Sequence, residues 1–137
     1  MAEALQVFMG NTAEKVCGDV VELFFADPNL EQKGAITEEA FIRALRELIN
    51  EGKIFGFMKD DLSGQDFIII TLRRSLVPFE AKTSYFGKFL HEIIHENPVC
   101  VVCHQILRPT ERQMRRLVSK AKTVVTDLLI LEGELAA

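Results

Sequence analysis

The sequence predicts a mainly helical α+β protein, and three observations lead there. Apolar residues recur at helical spacing over residues 13–26, 37–52, 83–96 and 110–131. Two short β-branched and aromatic runs, 54–58 and 67–72, flank a polar turn and read as a hairpin. At 137 residues the chain suits one domain or a small domain with extra helices, and can bury most of its apolar surface.

The elements follow in order. Val16, Val20, Leu23 and Phe24 share a helical face, and Asp27-Pro28-Asn29 is expected to end that helix. Thr37 then reads as an N-cap, with Glu38 and Glu39 in the first turn, where the helix dipole favours them. Phe41, Leu45, Leu48 and Ile49 form the apolar stripe behind it, and Gly52 supplies the stop. The hairpin turn holds Asp60, Asp61, Ser63 and Gly64. "SLVPFEAK", residues 75–82, reads as a linker. A helix over about 83–96 follows, and then a long one opened by a capping box at Thr110 and Gln113. In that last helix Met114, Leu117, Ala121, Val124, Leu128 and Leu131 repeat in heptad-like steps. Such a stripe serves either an internal core face or a homodimer seam through residues 110–131.

A helix ending in "LINEGKI" and running straight into a hairpin resembles the winged-helix fold. The resemblance covers roughly residues 13–74 and rests on element order and on Leu45, Leu48, Gly52 and Ile54 at the junction. It implies a winged-helix-like core over 1–78 with a β-hairpin wing, and a helical extension over 79–137. It also implies a DNA- or protein-binding role. The wing tip, Lys59 to Asp66, is acidic, and Arg43 and Arg46 are outnumbered by Glu38, Glu39, Glu47 and Glu51. The usual winged-helix face is therefore a poor phosphate binder, and many such domains bind proteins instead.

Charge supports that division. The net charge is −4, yet residues 108–137 carry six basic and four acidic side chains. Arg112, Arg115, Arg116 and Lys120 fall at i, i+3, i+4 and i+8 of the last helix, one face that either tracks phosphates or is merely solvated. No apolar run approaches the roughly 18–20 residues of a membrane span. "MAEALQVFMGNTAEK" carries no basic start and apolar stretch of the secretory kind, so the expected location is cytoplasmic. The three cysteines are then expected as thiols or metal ligands rather than disulfides.

"HEIIHENPVCVVCH", His91 to His104, holds five of the six Cys and His residues. His91, Glu92 and His95 spell HExxH, which resembles the zincin peptidase signature, with Glu92 as the base that activates a metal-bound water. The two imidazoles would lie about 40° apart on a helix, within reach of one ion. Phe86, Phe89, Leu90, Ile93 and Ile94 centre on the opposite side, and no third zincin ligand follows. Cys100-Val101-Val102-Cys103-His104 matches the c-type haem pattern, a chemistry installed outside the cytoplasm. The reading that joins both halves is a structural zinc ion held by His91, His95, Cys100 and Cys103, with His104 or Cys17 as substitutes. The expected function is accordingly non-enzymatic: a regulatory or adaptor module binding DNA or a protein partner. A small zinc-dependent hydrolase is the rival.

Overall fold

The computed structural model describes residues 29–59, 66–83 and 98–137. The helix expected over 13–26, the turn at 60–65, and most of the helix expected over 83–96 lie outside these residues. Among those described, the order is α1 (Leu30–Asn50), β1 (Gly56–Lys59), β2 (Phe67–Ile70), β3 (Leu76–Lys82), β4 (Val99–Val101) and α2 (Glu111–Leu131). The α+β class is as expected.

Helix α1 corrects the reading of Thr37. The helix begins at Leu30, two turns earlier, and Thr37 is an interior residue whose buried Oγ1 donates to the Lys33 carbonyl at 3.1 Å. Local signals could not show this, because the first turns are held from far along the chain. Lys33, only 7% exposed, donates from Nζ to Gln105 Oε1. Beyond it Ile36, Ala40, Phe41, Ala44, Leu45 and Leu48 are all buried, so the expected stripe is present and longer. The stop is where the sequence puts it. Gly52 takes φ +71°, and the N–H groups of Gly52 and Lys53 bond the carbonyls of Ile49 (3.0 Å) and Leu48 (2.9 Å). That is a Schellman closure, which needs a residue free to enter the left-handed region.

The hairpin forms as expected, with β1 antiparallel to β2 in the register Gly56↔Ile70 to Lys59↔Phe67. A second correction concerns residues 75–82. They are a strand rather than a linker: β3 pairs antiparallel with β2 and parallel with β4, giving the sheet order β1-β2-β3-β4. Pro78 argues against a central strand, but its position is harmless. The Glu80 N–H donates to Pro98 O, so even-numbered residues of β3 direct their backbone groups toward β4. At Pro78 β4 has not yet begun, and the missing N–H costs no ladder bond. The β2–β3 connection is a tight turn in which Arg74 occupies φ +67° and its N–H bonds Thr71 O at 2.9 Å. The Arg74 guanidinium lies 3.6 Å from the Phe55 ring centroid, a cation–π contact that helps hold a conformation glycine would adopt more readily.

One face of the sheet carries the core. Phe67 and Ile69 of β2, Val77 and Phe79 of β3, and Cys100 and Val102 at β4 are buried there. Phe67 and Phe79 stack at 5.2 Å, and Phe41 of α1 packs on Phe79 at 5.4 Å. From α2 come Met114, Leu117, Val118, Ala121, Val125, Leu128 and Leu129. A single cluster thus joins residues from both sides of the boundary expected at 78/79. The stripe of α2 is spent on this core. Val124 is only partly buried, and Leu131, expected on the stripe, is 83% exposed.

The last helix matches its sequence closely at both ends. The Gln113 N–H donates to Thr110 Oγ1 at 3.1 Å and the Thr110 N–H donates to Gln113 Oε1 at 2.9 Å, the reciprocal capping box. Gly133, at φ +75°, repeats the Schellman closure seen at Gly52. Arg73 then donates to Gly133 O at 2.9 Å, and Ser75 Oγ donates to Glu134 Oε1 at 2.7 Å. The end of α2 is thereby fastened to the β2–β3 turn.

Candidate nucleic-acid interface

Two ion pairs set the relation of the helices. Arg43 in α1 reaches Glu111 at the start of α2 at 3.3 Å, and Glu51 at the end of α1 pairs with Lys122. The helices therefore run side by side in the same direction, and α2 presents the face opposite its buried stripe to solvent. Arg112, Arg115, Arg116 and Lys120 all lie exposed on that outer crest. At 1.5 Å per residue they span about 12 Å of helix.

The quartet carries no counter-charge among the described residues, a condition it shares with Arg46 and Arg108, and what sets it apart is that its four cations stand together on one helix face. Arg43, Lys53, Lys59, Arg73, Lys82 and Lys122 each pair with a glutamate. Among the described residues none of the four crest cations does. Between Glu111 and Asp127 the helix contains no acidic residue. Arg112 stands in the first turn, at the positive end of the helix dipole, where a cation costs rather than gains about 0.3–1 kcal/mol. The local electrostatics are poor for stability and good for holding an anion.

The flanks are different. A groove of about 500 Å³ between the helices is lined by Arg43, Glu47, Glu111, Arg115, Val118, Ser119 and Lys122. Its two glutamates, with Glu39 beside Arg43, stand among Arg43, Arg115 and Lys122, so charge on the α1 side of the crest is mixed and largely paired. Sequence reading found the four cations by their spacing. It missed the mixed-charge groove beside them, which exists only because α1 lies alongside α2, and no local signal reports that adjacency.

The Cys and His residues divide. Cys17, His91, Glu92 and His95 lie outside the described residues. Cys100, 2% exposed, faces the core from β4, whereas Cys103 is exposed. Burial alternates from Cys100 to Cys103, so the chain there is extended, and the two thiols turn to opposite sides. Among the described residues no three Cys, His, Asp or Glu side chains form a group suited to a metal.

His104 has a structural setting. Its Nδ1 accepts from the Ile106 N–H at 3.1 Å, which leaves the proton on Nε2. Nε2 lies 3.0 Å from Thr37 Oγ1 and 3.2 Å from Lys33 O, and Thr83 Oγ1 completes the cluster, 2.8 Å from Thr37 Oγ1. Burial holds this imidazole below its usual pKa, and the nearby Lys33 and Lys120 charges push the same way. Both ring nitrogens are engaged within the fold, tying the segment after β4 to the first half of α1.

No protein-family model, no curated protein and no solved structure matches this chain. Among the described residues no helix is long and apolar enough to cross a membrane.

Proposed function

We propose that this chain is a non-enzymatic regulatory or adaptor module of winged-helix type that binds duplex DNA through the outer crest of α2. The observation that carries the reading is the set of exposed cations, Arg112, Arg115, Arg116 and Lys120, without carboxylate partners among the described residues. The passage from α1 through Gly52 into the β1–β2 hairpin supports the winged-helix part. The binding surface differs from the usual one, because the exposed and half-buried polar positions of α1 are dominated by Glu31, Glu38, Glu39 and Glu47.

Phosphate neutralisation makes the test quantitative. Four contacts give a slope of log affinity against log salt near −3.6, or about 150-fold weaker binding at about 200 mM than at about 50 mM salt. Fluorescence anisotropy with a labelled duplex measures this directly. The combined variant Arg112→Ala, Arg115→Ala, Arg116→Ala is expected to lose binding while keeping its circular dichroism spectrum. Wild-type protein that fails to bind duplex at low salt would overturn the proposal.

A further inference from the structure

We infer that the sheet face turned away from α1 and α2 is a docking face for this chain's own connection between β3 and β4, residues 84–97. The inference is independent of the DNA-binding reading. Both helices bury their stripes in the core on the other face. The outer face is apolar as well. In the register Met58 stands beside Ile68, Ile70 beside Leu76, and Val99 beside Glu80. Met58 and Leu76 are 47% and 60% exposed, whereas Ile68, Ile70 and Val99 are half-buried. Glu80, paired with Lys82 at 3.1 Å, is only 7% exposed. The β3–β4 side of this face therefore lies under a cover that neither described helix supplies.

Chirality points to the occupant. β3 and β4 are parallel neighbours, so the chain between them crosses back over one face of the sheet. Such crossovers are right-handed in about 98% of cases. With both strands running upward, a right-handed connection lies in front when the second strand is to the right of the first. Seen from the outer face with β3 running upward, an L-residue whose side chain points at the viewer directs its own N–H and C=O to the right. Glu80 and Lys82 are such residues. The Glu80 N–H donates to Pro98 O and the Lys82 carbonyl accepts from the Val102 N–H, each at 3.0 Å. β4 is therefore on the right, and the right-handed path passes over the outer face. Residues 83–98 are long enough for a parallel crossover, which needs about a dozen. Phe86, Phe89, Leu90, Ile93 and Ile94 give that segment an apolar stripe to set on an apolar face. His91 and His95 fall on the side opposite the stripe, and Cys100 is buried on the core face, so the sheet stands between them.

Nuclear Overhauser spectra of the intact, methyl-labelled chain test this. The Phe89 ring and the Ile93 methyls are expected to give cross-peaks to methyls of Ile68, Ile70, Val99 or Val101, and none to Ile69, Val77 or Val102 on the core face. Phe89→Ala is expected to shift the outer-face methyl resonances while those of the core-face methyls stay in place. Cross-peaks from Phe89 or Ile93 to the core-face methyls would mean a left-handed crossover and overturn the inference. Cross-peaks between labelled and unlabelled chains in a mixed sample would overturn it too, by making a second copy the occupant. Outer-face methyls with no cross-peak to residues 84–97 in a folded chain would do the same.

Discussion

Helices α1 and α2 are each 21 residues long, run side by side, and close on a glycine in the left-handed conformation. They differ in how their charge is used. On α1, Glu38 pairs with Lys59, Glu39 with Arg43, and the capping Glu51 with Lys53 and Lys122. On α2, four cations face water with no carboxylate partner among the described residues. Two helices of equal length and similar burial thus do separate work. One knits the sheet to the rest of the molecule, and the other keeps a charged surface in reserve. The lesson is that a basic stretch becomes informative only once its possible partners have been located.

The sharpest way to break the structural half of this comparison is Phe41→Ala. Phe41 is fully buried and meets both Phe67 and Phe79, so its loss is expected to cost about 3–5 kcal/mol in urea unfolding. A loss below about 1 kcal/mol would mean that α1 is not the element that carries the core.

The two cysteines give a second contrast. Cys100→Ser buries a hydroxyl in an apolar core and is expected to cost about 1–3 kcal/mol, whereas exposed Cys103→Ser should stay within about 0.5 kcal/mol of wild type. A structural zinc ion held by both thiols requires the opposite: equal damage from either change, with loss of bound zinc. Unfolding curves read beside elemental analysis decide between these.

A third probe is pH. His104 is held below its ordinary pKa in the folded chain, so between the folded and unfolded values the unfolded chain binds the extra proton. Stability is therefore expected to be fully present above about pH 6.5 and to fall as pH drops from there toward the folded value. The denaturation midpoint at pH 7.5 and 5.5 checks this in wild type and in His104→Gln, where this part of the dependence should vanish. An unchanged pH profile in the variant would show that His104 is not its source.

The smallest expected effect has the opposite sign. Arg112→Ala, which removes a cation from the positive end of α2, should raise stability by a few tenths of a kcal/mol while weakening duplex binding. Destabilisation instead would mean that Arg112 supports the helix rather than a ligand.

Much of this architecture was legible because its causes are local. Thr110 with Gln113 marks the start of α2, Gly52 marks the end of α1, and the β-rich runs mark the hairpin, each through neighbours within a few residues. The failures trace to partners far away. Pro78 looked like a linker residue because the point at which β4 begins is not written near it. Thr37 looked like a cap because Lys33 and His104, the groups that bury it, lie in another turn and in another segment. Of the candidate site, the cations could be read by spacing. Their lack of partners could not, since it depends on where every glutamate finishes. Cys100 is buried and Cys103 exposed, a difference that motif spacing does not report.

The tie between the start of α1 and the segment after β4 also sets an order in time. Lys33 waits for Gln105, 72 residues on, and Thr37 waits for His104, 67 residues on. During synthesis at about 5–20 residues per second, the first turns of α1 lack these two partners for several seconds after they are made. Any contact that forms sooner in that interval competes with them. The amino-terminal half of α1 is therefore expected to be completed late, after the ribosome has delivered nearly all of the strands. The same long closure leaves it the part of the helix most readily loosened by cutting the chain beyond β4.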